Sequence, residues 1–288
     1  MAIESKIIFK IENEIITNVD IKNEFKYLSA LNNQLQNLDK EKIFNISKNS
    51  IIREKIKKIE ILNNFKTLEI DQRYLKEIIE NVYKRRNIKS LEEFKRYLNG
   101  FSLTLRDVEE KLKIDALWRE LIIKKYASKI EINVEEIENE IKNNNYLRIK
   151  SYLLSEIIFE IKSNNELNSK YIEIKKSIEK IGFENTSSIY SISETAKIGG
   201  KIGWISEQSL NKQIKKEIIS LQKGKISKPF IIPGGVLILK MNDIKEEDKD
   251  IDPKLELDKA VRYERNKQLN QYSKIYFNKI KKNLAFND

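Results

Sequence analysis

Ala196-Lys-Ile-Gly-Gly-Lys-Ile-Gly-Trp204, Lys223-Gly-Lys-Ile-Ser-Lys-Pro-Phe230 and Pro233-Gly-Gly-Val-Leu-Ile-Leu-Lys-Met241 interrupt a chain otherwise written in Lys, Glu, Leu, Ile and Asn. Seven of its eight glycines and two of its three prolines fall between positions 182 and 241. Glycine reaches backbone angles that other residues avoid, so this clustering marks tight turns and strands whose backbones come close together. Between the first two stretches, Ser206 to Leu221 reads as a helical run.

Immediately upstream, Leu147 to Ile161 is rich in Ile, Leu, Tyr and Phe and reads as a strand. Glu166 to Ile181 has helical spacing, with Tyr171, Ile174 and Ile178 on one side. Asn143-Asn-Asn145 is a polar break before this segment. Lys245 to Asp252 is a charged linker after it.

The N-terminal half is helical text. Residues 6 to 16 form a short hairpin turning at Glu12-Asn13-Glu14. Thr17 with Asp20 caps a helix to about Leu35, and residues 40 to 68 form a second. Asp71 opens a third. Ser90 with Glu93 opens a short helix closed by Gly100 as a left-handed C-terminal glycine. Thr104 with Asp107 starts a long helix carrying Trp118, and Asn133 with Glu136 caps one more to about Asn143. Asp252-Pro253 starts a last helix to about Leu284, ~45–50 Å long. Its stripe of Leu257, Val261, Leu269, Tyr272, Tyr276 and Ile280 needs a partner surface.

The glycine turns, in their order and spacing, resemble the parvulin family of peptidyl-prolyl isomerases: a Gly-Gly-x-Leu-Gly-Trp turn, a helix, a Gly-x-(Ile/Val)-Ser-x-Pro turn and a strand entered through glycine. The hairpin, the Thr-x-x-Asp cap, the Glu-Glu-Phe helix, the Gly-Phe-Ser turn and the Trp-bearing helix resemble the N-terminal domain of SurA-like chaperones. The expected fold is α+β: residues 1–145 a helical chaperone domain, 146–244 an inserted parvulin-like α/β domain, and 245–288 a linker and C-terminal helix that returns to complete the helical domain.

The composition narrows the chemistry. The chain has 288 residues, net charge +11, and neither cysteine nor histidine. Disulfides, thiol nucleophiles, Ser-His-Asp triads and ordinary zinc sites are excluded. No cofactor or metal is expected. No run of about eighteen apolar residues occurs, so no membrane insertion by a helix is expected. Lysine and glutamate are interleaved nearly everywhere, which favours solvated helix faces over a nucleic-acid surface. Gly199-Gly-Lys-Ile-Gly lacks the spacing of a phosphate-cradling loop. Met1-Ala-Ile-Glu-Ser-Lys lacks an apolar signal core, and the resemblance implies a periplasmic protein from which a signal has been removed.

Parvulins commonly carry two histidines and a nearby Cys or Asp. At the positions matching that pattern stand Glu156, in Ser155-Glu-Ile-Ile158, and Leu237, in Gly235-Val-Leu-Ile238. Ser193 is the nearest polar residue in the third. Ile202, Leu210 and Ile214 fall where the family places its apolar proline pocket, or are ordinary core. The resemblance implies a degenerate isomerase site in an ATP-independent chaperone, monomer or weak dimer, for unfolded polypeptides, chiefly outer-membrane β-barrel proteins. An isomerase with a histidine-free site is the alternative. Phe25, Tyr27, Phe94 and Trp118 are the aromatics to test as client-binding or core residues.

Overall fold

The structure, a computed structural model, describes residues 5–143, 148–210, 212–248 and 253–287. In chain order they form β1 (Ile7–Ile11), β2 (Glu14–Thr17), α1 (Asn18–Leu31), α2 (Lys40–Asn64), α3 (Gln72–Lys84), α4 (Leu91–Asn99), α5 (Leu105–Tyr126) and α6 (Val134–Asn143). There follow β3 (Arg148–Phe159), α7 (Leu167–Ile181), α8 (Phe183–Tyr190), β4 (Lys201–Ser206), α9 (Lys212–Ile219), β5 (Phe230–Ile232), β6 (Gly235–Asp248), α10 (Pro253–Asn283) and β7 (Phe286–Asn287). The class is α+β, as expected. Met1-Ala2, the end of the 143–145 break and the Asp252 cap lie outside the described residues.

Two units emerge, Met1–Lys125 with Ile275–Asp288, and Tyr126–Lys274. In the first, the caps set the helix starts. The Thr17 amide donates to Asp20 at 2.8 Å, and the Asp20 amide donates back to Thr17 Oγ1 at 3.2 Å. Thr104 and Asp107 repeat this at 2.7 and 3.2 Å. Each exchange satisfies amides that the first helical turn leaves without partners.

Two ends differ from expectation. Helix α1 stops at Leu31, because Asn32 caps a short 3-10 turn over Asn33–Asn37 and accepts from the Gln34 amide at 3.2 Å. Gly100 is not left-handed; its φ is −60°. The left-handed residue is Ser102, at φ 55°, and the Leu103 amide reaches back to Leu98 O at 3.1 Å. The closing turn therefore sits two residues later than glycine suggests, with buried Leu103 as its apolar contact.

The chain's two ends fold together in this unit. β7 pairs antiparallel with β1, making a sheet in the order β2-β1-β7. Phe277, Ile280 and Leu284 pack on a core of Phe9, Ile11, Ile16, Ile21, Ile51 and Ile56. Trp118 lies 5.8 Å from the Tyr276 ring and 6.2 Å from that of Phe277. Two lysines, Lys57 buried and Lys111 half-buried, brace the helices. Lys57, 2% exposed, pairs with Asp115 at 3.0 Å. Lys111 reaches Glu24 and Glu54, each at 2.5 Å. A charge so enclosed is tolerable only with its counter-charge in place.

The second unit is built on an antiparallel sheet ordered β4-β3-β6-β5. β3 and β6 pair along their full length, from Arg148↔Asp248 to Phe159↔Val236. Residues 245–248, expected as linker, are therefore strand. Their charges do not prevent this, since Lys150 and Glu246 form a cross-strand ion pair at 2.9 Å. Alternate residues face opposite ways along a strand. Ile157, Phe159, Val236 and Ile238 thus meet Ile174 of α7 and Phe183 of α8. Tyr152, Leu154, Ile158, Leu237, Leu239 and Met241 form the other face, with Leu210 and with Ile214 and Ile218 of α9.

Helix α10, about 46 Å long at the usual rise, carries two opposite stripes through this second unit. Tyr272, of the expected stripe, and Gln268 beside it meet residues 126–131. Gln268 exchanges hydrogen bonds with the Glu131 backbone at 2.7 and 3.2 Å, and the Tyr272 ring stacks on Tyr126 at 4.7 Å. The opposite stripe holds Glu256, Ala260, Tyr263 and Lys274, spaced by four, three and eleven residues.

Candidate functional site

Glu156 stands on β3 opposite Leu239. It is the polar member of a face whose other residues are apolar. The Gly199-Gly200 turn fixes it from behind. The Glu156 amide donates to Gly200 O at 2.8 Å. A Cβ at Gly200 would lie 2.3 Å from Glu156 O, and its φ is +79°, so no other residue fits there. The sequence-level inference of close backbone approach is met at this position.

The polar group is completed by the chain just before that turn. Ile192 N–H donates to Ile158 O at 2.7 Å, and Ser191 Oγ accepts from Ile158 N–H at 3.0 Å. These bonds zip residues 191–192 to β3 and deliver Ser193, whose hydroxyl donates to Glu156 Oε1. Thr195 Oγ1 lies 3.0 Å from the same carboxylate oxygen and 3.1 Å from Ser193 Oγ. Glu156 and Ser193, far apart in sequence, are thus brought into one cluster. Hydrogen bonds to a carboxylate are stronger than neutral ones and hold it in one orientation.

Beside this cluster lies an apolar floor. Leu237 is 4% exposed and opposes both Ile158 on β3 and Phe230 on β5. Leu210 and Ile214 belong to the same floor. Ile202 does not: it is exposed. The pairing of β4 with β3 separates the two: Ile205, opposite Tyr152, joins the floor, whereas Ile202 is the extra residue between the Gly203↔Leu154 and Lys201↔Ser155 pairs, where the register shifts. No aromatic residue stands at Ile214. Phe230 and Tyr263 supply the rings packed against this face instead.

Thr195, Tyr263 and Lys274 carry no motif, and sequence reading does not single them out. Burial raises the Tyr263 phenol to about 12, with the charges of Glu156 and Glu264 adding to it. Burial pushes the Lys274 ammonium down, opposed by Glu156 and Glu194. Both residues therefore lie within electrostatic reach of the Glu156 carboxylate.

Chemically, this arrangement differs from a histidine site. A carboxylate accepts hydrogen bonds and attracts cations; it gives a twisting amide no N–H donor. Leu237 offers only apolar contact. The face can hold an apolar or aromatic side chain on its floor and an N–H or a cation at Glu156.

In the helical unit, Tyr27, Phe94 and Trp118 are each no more than 3% exposed, and they are core rather than groove. Phe94 packs between Tyr83 and Tyr97 at 5.8 and 6.4 Å, and Lys111 sits 5.0 Å over the Tyr27 ring. Phe25 is half-buried.

Residues 156–243 match the model of the PPIC-type PPIASE (rotamase) domain family. Over 172 residues, 55% of this chain, the sequence is 26% identical to the chaperone SurA of Pseudomonas putida, covering 39% of that protein. The chain spans about two fifths of the length of the curated relatives it matches. Among solved structures, one from work on PEB4 and Cj1289, two SurA-like chaperones of Campylobacter jejuni, aligns over 97% of both chains at 16% identity, with a TM-score of 0.37. A PpiC-type isomerase domain aligns over all of its own length and 37% of this chain, at 24% identity and a TM-score of 0.31. The chain therefore carries a PPIC-type rotamase domain within a sequence that is similar to the SurA chaperones.

Proposed function

We propose that this protein is an ATP-independent chaperone for unfolded polypeptides, and that its rotamase-type unit binds peptide segments without accelerating prolyl isomerisation. The observation that carries the second part is the site itself. Glu156, tied to Ser193 and Thr195, and buried Leu237 stand where the resemblance puts the family's two histidines. Lowering a rotation barrier of ~18–20 kcal/mol needs groups that favour the twisted amide over the planar one. A carboxylate and a leucine provide none of the usual donors.

The retained floor of Leu210, Ile214, Leu237 and Phe230 supports binding in the absence of catalysis. The chaperone reading is supported by the similarity to SurA proteins. By the same analogy we assign a periplasmic location and outer-membrane β-barrel clients. Such clients expose alternating apolar residues and unpaired strand edges, which aggregate unless shielded.

The test is suppression of aggregation of a urea-unfolded outer-membrane β-barrel protein on dilution, without nucleotide, beside an unfolded soluble enzyme. Preferential holding of the β-barrel protein supports the client assignment. Equal holding leaves a general chaperone, and no holding refutes the reading.

A further inference from the structure

The floor beside the Glu156 cluster is not open on that side of the sheet: this chain lays its own helix against it. Tyr263 of α10 packs against the apolar floor formed by Leu210, Ile214, Leu237 and Leu239. Three turns further on, Lys274 passes over the β5–β6 turn. A Cβ placed on Gly234 would meet Lys274 Cβ and Cδ at 3.6 Å. Glu256 and Ala260, on the same stripe, are buried as well. This stripe is a poor apolar surface: it offers one aromatic ring, one alanine and two charged residues. Its composition instead suits the face it meets, with a ring against the floor and a lysine over the β5–β6 turn. The shifts of Tyr263 and Lys274, both traced in part to Glu156, agree with this placement.

We infer that the Glu256–Lys274 stretch of α10 is a resident occupant of the peptide-binding face of the rotamase-type unit, which a client must displace to bind. The inference rests on the peptide-binding reading above and adds its regulation. A face filled from within binds clients with an affinity reduced by the fraction of time it stands open. The clients best able to compete carry an aromatic and a basic side chain, as α10 does.

The chain has no cysteine, so an engineered pair is clean. Gly234→Cys with Lys274→Cys places two Cβ atoms at a separation suited to a disulfide. In the full chain, binding of a fluorescein-labelled peptide containing Tyr-Pro and Lys is followed by anisotropy, oxidised and then reduced. The strain of a cysteine at φ +88° is common to both states. Reduction is expected to tighten binding at least tenfold. Tyr263→Ala, without the cysteine pair, is expected to bind the peptide more tightly than the natural chain.

Equal affinity in the oxidised and reduced forms, with Tyr263→Ala unchanged, overturns the inference while leaving peptide binding intact. Absence of binding in every form overturns both. Should the cysteine pair not fold, Tyr263→Ala decides alone.

Discussion

The two faces of the β3–β6 sheet are made from alternating residues of the same strands, yet they are covered in different ways. On one face, Ile157, Phe159, Val236 and Ile238 meet α7 and α8, the helices that directly follow β3 in the chain. The cluster there is apolar, with buried Ser155 and, over the Phe183 ring, Lys240 at its edge, and the helices that cover it are local. The other face carries Glu156 in an otherwise apolar row and is met by α9 and by a helix from the chain's far end. A polar group on a packed face needs its own partners, which Ser193 and Thr195 provide. The first face is organised for folding alone. The second pairs chemistry with a cover that sequence-distant residues supply.

Neighbouring residues allow this contrast to be broken one side chain at a time. The largest effect is expected at Ile238, 0% exposed on the α7–α8 face. Ile238→Ala should cost about 2–5 kcal/mol in urea unfolding, with unchanged peptide affinity in the molecules that remain folded. Leu237→Ala, one residue away on the opposite face, should cost about 2–4 kcal/mol and in addition weaken peptide binding in an anisotropy titration. If both variants changed affinity alike, the division between faces would fail.

Gly200→Ala comes next. A methyl group 2.3 Å from Glu156 O and a φ of +79° should cost about 1–3 kcal/mol. Hydrogen exchange at the Glu156 amide should rise with it. Glu156→Gln retains the shape of the cluster while removing its charge. A loss of about 1 kcal/mol is expected, and peptides with a lysine should lose affinity more than those without; an equal loss would remove the carboxylate from recognition. The smallest effect is expected for Ile202→Ala. Exposed and off the floor, it should stay within about 0.5 kcal/mol of the natural chain and bind peptide normally.

Much of this fold was legible where local chemistry decides structure. Thr17 with Asp20, Ser90 with Glu93, and Thr104 with Asp107 mark helix starts because side chain and amide lie within one turn. The cluster of glycines located the rotamase-type turns for the same reason. What escaped depends on partners distant in sequence. Lys245 and Glu246 read as linker by composition, but the register with β3 makes them strand. Ile202 and Ile205 look equivalent in the text, and only the pairing of β4 with β3, whose register shifts at Ile202, tells which one faces the floor. The stripe of α10 that holds Tyr263 and Lys274 has no apolar period to reveal it; the cluster on which Tyr263 packs includes Leu154 and Ile158 of β3, more than a hundred residues earlier. Gly100 shows the converse, a strong local signal that the chain uses two residues later, at Ser102.

The central claim is that the rotamase-type face binds peptide without turning its proline. NMR exchange spectroscopy of a Tyr-Pro peptide with a substoichiometric amount of the full chain tests both halves in one sample. Peptide resonances should shift and broaden while cis and trans signals show no exchange cross-peaks. Cross-peaks with the natural chain that vanish with Glu156→Gln or Ser193→Ala would contradict the account, and would make Glu156 and Ser193 the working parts of an isomerase without histidine.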